Sequence, residues 1–248
     1  MNNRFLTTMA LVASSTLFLA GCGDGNAFET PPAAGETPTN SGTVSQKNFS
    51  ILADNVNPPV FDTVNKTATD TSVVITAKIG DSNNQLLTDA HTVFFRTEWG
   101  LIEPSCVTEN GTCSVTWQTS FGPGTVPADY LSTITAYTLG EEDYSDSNGN
   151  GEFDDGDTPF PNGDFFTDRE EPYIDVDFND GDFNAAFGDI IIDVMNGNVL
   201  GVNGEHDFGD GFLNSPNCVQ SPLCGLTTII YIWDDIELDM EIPVVPVL

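Results

Sequence analysis

The chain has 248 residues, with 38 acids against 6 bases and a formal net charge of −32. That balance excludes nucleic acid and anionic lipid headgroups as natural partners, because both would be repelled. With only two histidines, the chain is nearly without the commonest general base and transition-metal ligand. No Ser/His/Asp or Cys/His arrangement and no phosphate-binding Gly-rich loop is visible. Glycosidases need only two carboxylates, but nothing here singles out a pair, so an enzyme is not expected. A charge of this size means disorder or acids gathered around cations, and the Phe, Ile and Val set among the acids argue against disorder.

At the amino terminus, Arg4 precedes an apolar stretch from Phe5 to Phe18 and the run Leu19-Ala20-Gly21-Cys22. This is the layout of a secretory signal over residues 1–21, too short to span a membrane, which takes ~20 apolar residues. Cysteine directly after Ala-Gly resembles a bacterial lipobox, which implies cleavage before Cys22 and lipidation of that residue. Gly23 rather than Asp follows Cys22, which points to the outer membrane. Residues 22–45 are rich in Pro, Gly, Thr, Ala and Asn and read as a flexible tether.

Residues 46–140 read as strand after strand. Phe49-Ser50-Ile51-Leu52-Ala53 comes first. Alternating runs follow at Val73/Ile75/Ala77/Ile79, Val93/Phe95, Val115/Trp117 and Ile134/Ala136/Thr138. Turn clusters separate them at Gly80-Asp81-Ser82-Asn83-Asn84, Asn110-Gly111 and Phe121-Gly122-Pro123-Gly124. Short alternating strands between turns predict an all-β sandwich. Trp117 is expected in its core rather than as a sugar platform.

An exported chain meets an oxidising compartment, so Cys106–Cys113 and Cys218–Cys224 are expected as two local disulfides. The first pair flanks Glu109-Asn110-Gly111, so its bridge would staple two adjacent strands. A four-thiolate zinc site is the competing arrangement, but neither pair has the spacing of zinc ligands.

At Glu141 the character changes. Residues 141–217 hold more than half of the acids and one base, Arg169. The run from Asp146 to Asp157 resembles the Ca²⁺ loop of EF-hands and dockerins. Asp146, Asn148, Asn150 and Asp154 supply side-chain oxygens at positions 1, 3, 5 and 9, and Glu152 a backbone carbonyl. Gly151 makes the sharp turn and Asp157 closes the loop. A second, irregular cluster is Asp175, Asp177, Asn179, Asp180 and Asp182, with Glu170 or Glu171 able to complete a neighbouring shell. A weaker third comprises Asp193, Asn196, Asn198, Asp207 and Asp210. Calcium is the expected ion, since Mg²⁺ keeps its waters and uses fewer carboxylates. The β pattern returns over residues 218–248: Ile229, Tyr231 and Trp233 on one face, Ile230 and Ile232 on the other, then Ile236, Leu238, Met240 and Ile242. The simplest account is an acidic insertion between early and late strands of one sandwich; the other is two domains in series.

Residues 50–137 carry a resemblance. It runs through Ala53-Asp54, Asn57-Pro58, Val74-Ile75-Thr76-Ala77, Asp81-Ser82-Asn83-Asn84-Gln85 and Val93-Phe94-Phe95-Arg96-Thr97-Glu98. It continues in Gly100-Leu101-Ile102-Glu103-Pro104-Ser105-Cys106, Asn110-Gly111-Thr112-Cys113-Ser114-Val115-Thr116-Trp117 and Thr135-Ala136-Tyr137-Thr138. The order and spacing resemble bacterial Ig-like domains of the invasin/intimin type (Big-1). Leu86-Leu87-Thr88-Asp89-Ala90 stands where many relatives have Pro-Val-Pro-Asp-Gly. The resemblance implies an Ig-like fold; with the lipobox and the calcium-type loops, the expectation is a lipid-anchored, calcium-binding Ig-like protein with a structural or adhesive role at the cell surface. Its partner would be a surface protein or glycan. A ligand-binding lipoprotein presenting a glycan site on the acidic insertion is the alternative.

Overall fold

A computed structural model describes residues 42–62, 67–119, 126–127, 129–176, 182–197, 199–219 and 221–240. Cys22, the signal, most of the tether and the Phe121–Gly124 turn lie outside them. The strands are β1 (Phe49–Ala53), β2 (Phe61–Asp62), β3 (Thr67–Ala68), β4 (Ser72–Ile79), β5 (Thr92–Thr97), β6 (Leu101–Ile102) and β7 (Ser105–Val107). They continue with β8 (Thr112–Gln118), β9 (Leu131–Gly140), β10 (Tyr173–Ile174), β11 (Ile190–Ile191), β12 (Met195–Asn196), β13 (Val199–Leu200) and β14 (Ile230–Asp239).

Two four-stranded sheets face each other, β1-β4-β8-β6 and β14-β9-β5-β7. The pairings β1-β4-β8 and β14-β9-β5 are the A-B-E and G-F-C pairings of an immunoglobulin-type sandwich, with β6 at the edge beside β8 and β7 at the edge beside β5. The alternating residues of β4, β5 and β8 point between the sheets. Val73, Ile75, Ala77, Val93, Phe95, Val115 and Trp117 are all buried there, joined by Ile230, Ile232 and Leu238 of β14. The Trp117 indole N–H donates to the Trp99 carbonyl at 2.8 Å, so the buried ring has its polar handle satisfied. Asn110 and Gly111 both have positive φ (51° and 71°), as a tight hairpin turn between Glu109 and Thr112 requires.

Both disulfides form as expected. Cys106–Cys113, however, does not join neighbours in one sheet. Cys106 lies on β7 and Cys113 on β8, so the bridge ties one sheet to the other. The chain crosses the sandwich through the Asn110-Gly111 turn, and sequence adjacency does not become sheet adjacency.

The fold also begins earlier than the tether boundary at residue 45. Val44 and Ser45 are fully buried, and Ser45 bonds to Gly80 and bridges Glu141. β14 runs antiparallel to β9 from Ile230↔Gly140 to Asp239↔Leu131. Residues 141–229 therefore leave and return at the same end of one strand pair.

That long connection packs on the outer face of its own sheet. β9 is buried on both sides, from Ser132 to Thr138. Its outward threonines do not face water: Thr133 Oγ1 donates to the Asp175 carbonyl at 2.6 Å and Thr135 Oγ1 to that of Tyr173 at 2.7 Å. Tyr137 and Trp233 join Tyr173, Ile174 and Ile192 in a second apolar cluster between sheet and connection. Burying this face removes polar side chains from water, and the carbonyls of the connection satisfy them.

Candidate cation-binding loops

The first acidic loop is wound around its own side-chain oxygens. Asp146 Oδ1 accepts the N–H groups of Gly149 and Asn150 at 2.8 and 3.1 Å, and Oδ2 that of Gly151 at 2.8 Å. Asn148 Oδ1 accepts from Asn150 N, and Asn150 Oδ1 from Glu152 N. The closing Asp157 accepts from Ser147 N and Asp154 N, both at 3.0 Å. Gly151 has φ +81°, a conformation that side chains other than glycine's rarely tolerate. Asp157 is buried; Asn148, Asn150 and the Glu152 side chain are exposed. A cleft of about 300 Å³ beside the loop is lined by Glu152, Asp154, Asp155, Gly156 and Val219, none of them aromatic.

The same donor–acceptor pattern recurs in residues far apart in sequence. Asp168 accepts Asp210 N at 3.1 Å and Gly211 N at 2.8 Å, and Asp210 Oδ1 accepts Phe212 N at 2.7 Å. Glu142 accepts Arg169 N at 2.6 Å and Asn214 N at 2.7 Å. Asp168, Asp210, Asn214 and Glu142 thus take the places of Asp146, Asn150, Asp154 and Asp157. In a third copy, Asp193 accepts Asn203 N and Gly204 N, and Asn203 Oδ1 accepts Glu205 N. Glu171 closes it, accepting from Val194, Met195 and Asp207. In a fourth, Asp189 accepts Val176 N at 3.0 Å and Asn184 N at 2.7 Å, which makes the buried Asp175 its opening residue.

All four closing carboxylates, Asp157, Glu142, Glu171 and Asp189, are buried. Three of the loops contain one short run, Asn150-Gly151-Glu152-Phe153-Asp154, Asn203-Gly204-Glu205-His206-Asp207 and Asp210-Gly211-Phe212-Leu213-Asn214; the sequence repeats it at Asp180-Gly181-Asp182-Phe183-Asn184, of which Asp180 and Gly181 lie outside the described residues. Gly204 and Gly211 have φ of +82° and +80°, matching Gly151. The fourth residue of each run points inward and couples the loops in pairs. Phe153 bridges Cys218 and Leu213 bridges Cys224, so the Cys218–Cys224 disulfide clamps two loops together. His206 stacks on Phe183 at 4.0 Å, and its Nε2 meets Glu170 Oε2 at 2.9 Å.

Of the residues expected as ligands, Asp146, Asn148, Asn150, Asp154 and Asp157 meet in one loop. Asp175 is placed beside Asp189, which the sequence reading omitted. Asp182 is exposed, while Asp177 and Asn179 lie outside the described residues. The third expected cluster divides. Asp193 and Asp207 stay together, Asp210 belongs with Asp168, and Asn196 sits exposed on β12. Glu142, Asp168, Asp189, Asn203 and Asn214 have loop roles that their places in the chain did not reveal.

Electrostatics set these loops apart from ordinary turns. Burial pushes the Glu142 carboxyl up to about 8, against two N–H hydrogen bonds that favour its charged form, and Asp168 and Asp210 add like charge. Burial likewise raises Glu171 and Asp168. The Arg169 guanidinium lies 5.2 Å over the Trp233 ring and shares its charge among Asp234, Asp235, Glu142 and Glu170. Among the described residues, no three His, Cys, Asp or Glu side chains converge tightly enough to hold an ion by themselves. A hard cation takes six to eight oxygens, and the amide and backbone oxygens of these loops count among them. The donor set is all oxygen, which suits Ca²⁺ and not a thiolate- or imidazole-seeking metal.

No protein-family model matches the chain, and neither a curated protein nor a solved structure is significantly similar to it.

Proposed function

We propose that this is a lipid-anchored, Ca²⁺-stabilised Ig-like protein of the outer membrane with a structural or adhesive role at the cell surface. The carrying observation is the recurrence of one oxygen-lined loop scaffold, three times in full and a fourth time in its described residues, each copy closed by a buried carboxylate. Asp146 and Asp157 would open and close the first site, with Asn148, Asn150, Asp154 and the Glu152 carbonyl between them; Ca²⁺ would supply the charge that the carboxylates lack. Such binding is folding free energy for the segment that carries the ligands. Invasin-type Ig-like modules are the family this reading places the chain beside, and Cys22 is its point of attachment.

Calorimetric Ca²⁺ titration of the full-length protein tests the reading. Several equivalents should bind, with one lost in Asp157→Asn. Absence of uptake at millimolar Ca²⁺ would overturn it. For the anchor, Cys22→Ser should release the protein from the membrane fraction; a processed variant that still sediments with membranes would overturn lipidation.

A further inference from the structure

The sequence places glycine directly after asparagine six times, at Asn110, Asn148, Asn150, Asn162, Asn196 and Asn203. In such a pair the glycine nitrogen can attack the asparagine side-chain amide, because no side chain hinders the approach and the backbone turns freely. Attack needs a glycine N–H that no acceptor holds, room for the backbone to swing, and an asparagine in contact with water. We infer that Asn196 alone among these residues meets all of these needs in the folded protein, and that it is a site of self-modification by deamidation. Most of the other pairs have their glycine engaged. Gly149 N and Gly151 N donate to the two oxygens of Asp146, both at 2.8 Å, and Gly204 N donates to Asp193 Oδ2 at 2.7 Å. Gly163 N donates to the Phe160 carbonyl at 2.9 Å. Described Asp-Gly pairs, which could cyclise in the same way, are held too: Gly156 N by Asp154 Oδ1 and Gly211 N by Asp168 Oδ2. The acidic loops thus shield their own asparagines. Asn110 is restrained differently. Gly111 is buried, its carbonyl accepts Ile79 N at 2.8 Å, and a side chain on it would begin 2.7 Å from the Ile79 carbonyl. That turn is packed against the end of β4 and has no room to swing.

Asn196 and Gly197 combine every requirement. Asn196 ends β12 and is exposed, and Gly197 follows it in a turn with φ +58°. Nothing lies within 4 Å of where a side chain on Gly197 would begin. Among the described residues, neither the Gly197 N–H nor the Asn196 side chain has a hydrogen-bond partner. The reaction needs only water. Gly197 N bonds to Asn196 Cγ, the side-chain nitrogen leaves as ammonia with the proton from Gly197, and a cyclic imide remains. Water opens that ring at either carbonyl. One product is aspartate; the other is isoaspartate, in which the main chain runs through the former side chain. The second form adds a methylene to the backbone of a tight hairpin and breaks the Asn196↔Val199 register. Met195, one residue earlier, is buried in the main core and gives its N–H to Glu171, so the change reaches inward from an exposed turn.

The test is timed incubation of the full-length protein at mildly alkaline pH in millimolar Ca²⁺, followed by peptide mass mapping and an isoaspartate assay. Asn196 should deamidate about tenfold or more faster than any other asparagine that precedes glycine, the factor that about 1.4 kcal/mol of local opening cost supplies. In the chain unfolded by denaturant all of these asparagines should react at comparable rates, because each then has the same glycine neighbour and no fold to restrain it. The rate at Asn196 should climb with pH, since the attacking nitrogen must give up its proton. Asn196→Gln, which would have to close a larger ring, should abolish the early event and leave the unfolding midpoint where it was. Equal rates across the folded protein overturn the assignment, as does another asparagine reacting first. So does an Asn196 that reacts in the unfolded chain and is as slow as Asn148 and Asn203 in the folded one.

Discussion

At the scale of single residues, the molecule stores like charge where it can be titrated. Burial raises the Glu98 carboxyl, a hydrogen bond from Thr133 N opposes this, and Asp129 and Glu237 add repulsion. An acid raised in the folded state holds its proton more tightly there than in the unfolded chain. Stability therefore falls as pH climbs from the unfolded value, about 4.3, through the folded one, and the full penalty is present above it. Glu98→Gln keeps an acceptor for Thr133 and removes the charge. Its urea midpoint should exceed that of wild type at pH 7, and the two should merge as the pH falls below the unfolded value. A constant difference across that range would show that charge is not the cause.

At the scale of elements, the strands could be read from the chain and the loop partners could not. Val73/Ile75/Ala77 and Val115/Trp117 alternate because each strand has one face in the core, and that periodicity is local. Burial of β9 on both faces depends on a segment some forty residues onward, as in Thr133 to Asp175. The first acidic loop was legible because opening and closing carboxylates lie within one stretch. Glu142 closes a loop whose middle is at Asp210 and Asn214, a separation of 72 residues, and no window along the chain holds both. The recurring run of Asn or Asp, Gly, any residue, a buried residue, then Asp or Asn was the available signal. The disulfides offer a prediction at this scale. Cys106–Cys113 closes a short loop and ties the two sheets, so Cys106→Ser with Cys113→Ser should cost the sandwich about 2–3 kcal/mol in denaturant unfolding. Replacing Cys218 and Cys224 by serine should leave the strands largely untouched and loosen the Phe153 and Leu213 loops, read as lower Ca²⁺ affinity. If both pairs act alike on both readouts, the division of labour between them is wrong.

At the scale of the whole molecule, sandwich and acidic connection are two layers with opposite electrostatic needs. The first is held by apolar burial. The second carries dense negative charge that opposes compaction, and its aromatics cannot by themselves offset the ordering entropy. Chelation should therefore open residues 141–229 to protease while β1, β4, β5 and β8 stay folded. Because the connection covers the outer face of β9 and β14, Trp233 should become wetter in the same step, seen as a red-shifted emission. Identical cleavage maps and spectra with chelator and with millimolar Ca²⁺ would refute this coupling.

The contacts between β1 and β14 have a mechanical consequence. Gln46 brackets Trp233 with two hydrogen bonds, Ile51 N bonds Asp234, and Asp239 N bonds the Val56 carbonyl. Residue numbers rise together on both sides, so the two flanks of the fold run in the same direction. Tension applied between Val44 and Met240 loads these contacts in shear, all at once. Tension applied between Gly140 and Ile230 peels β14 from β9 one pair at a time. In single-molecule pulling, the first geometry should need the larger force.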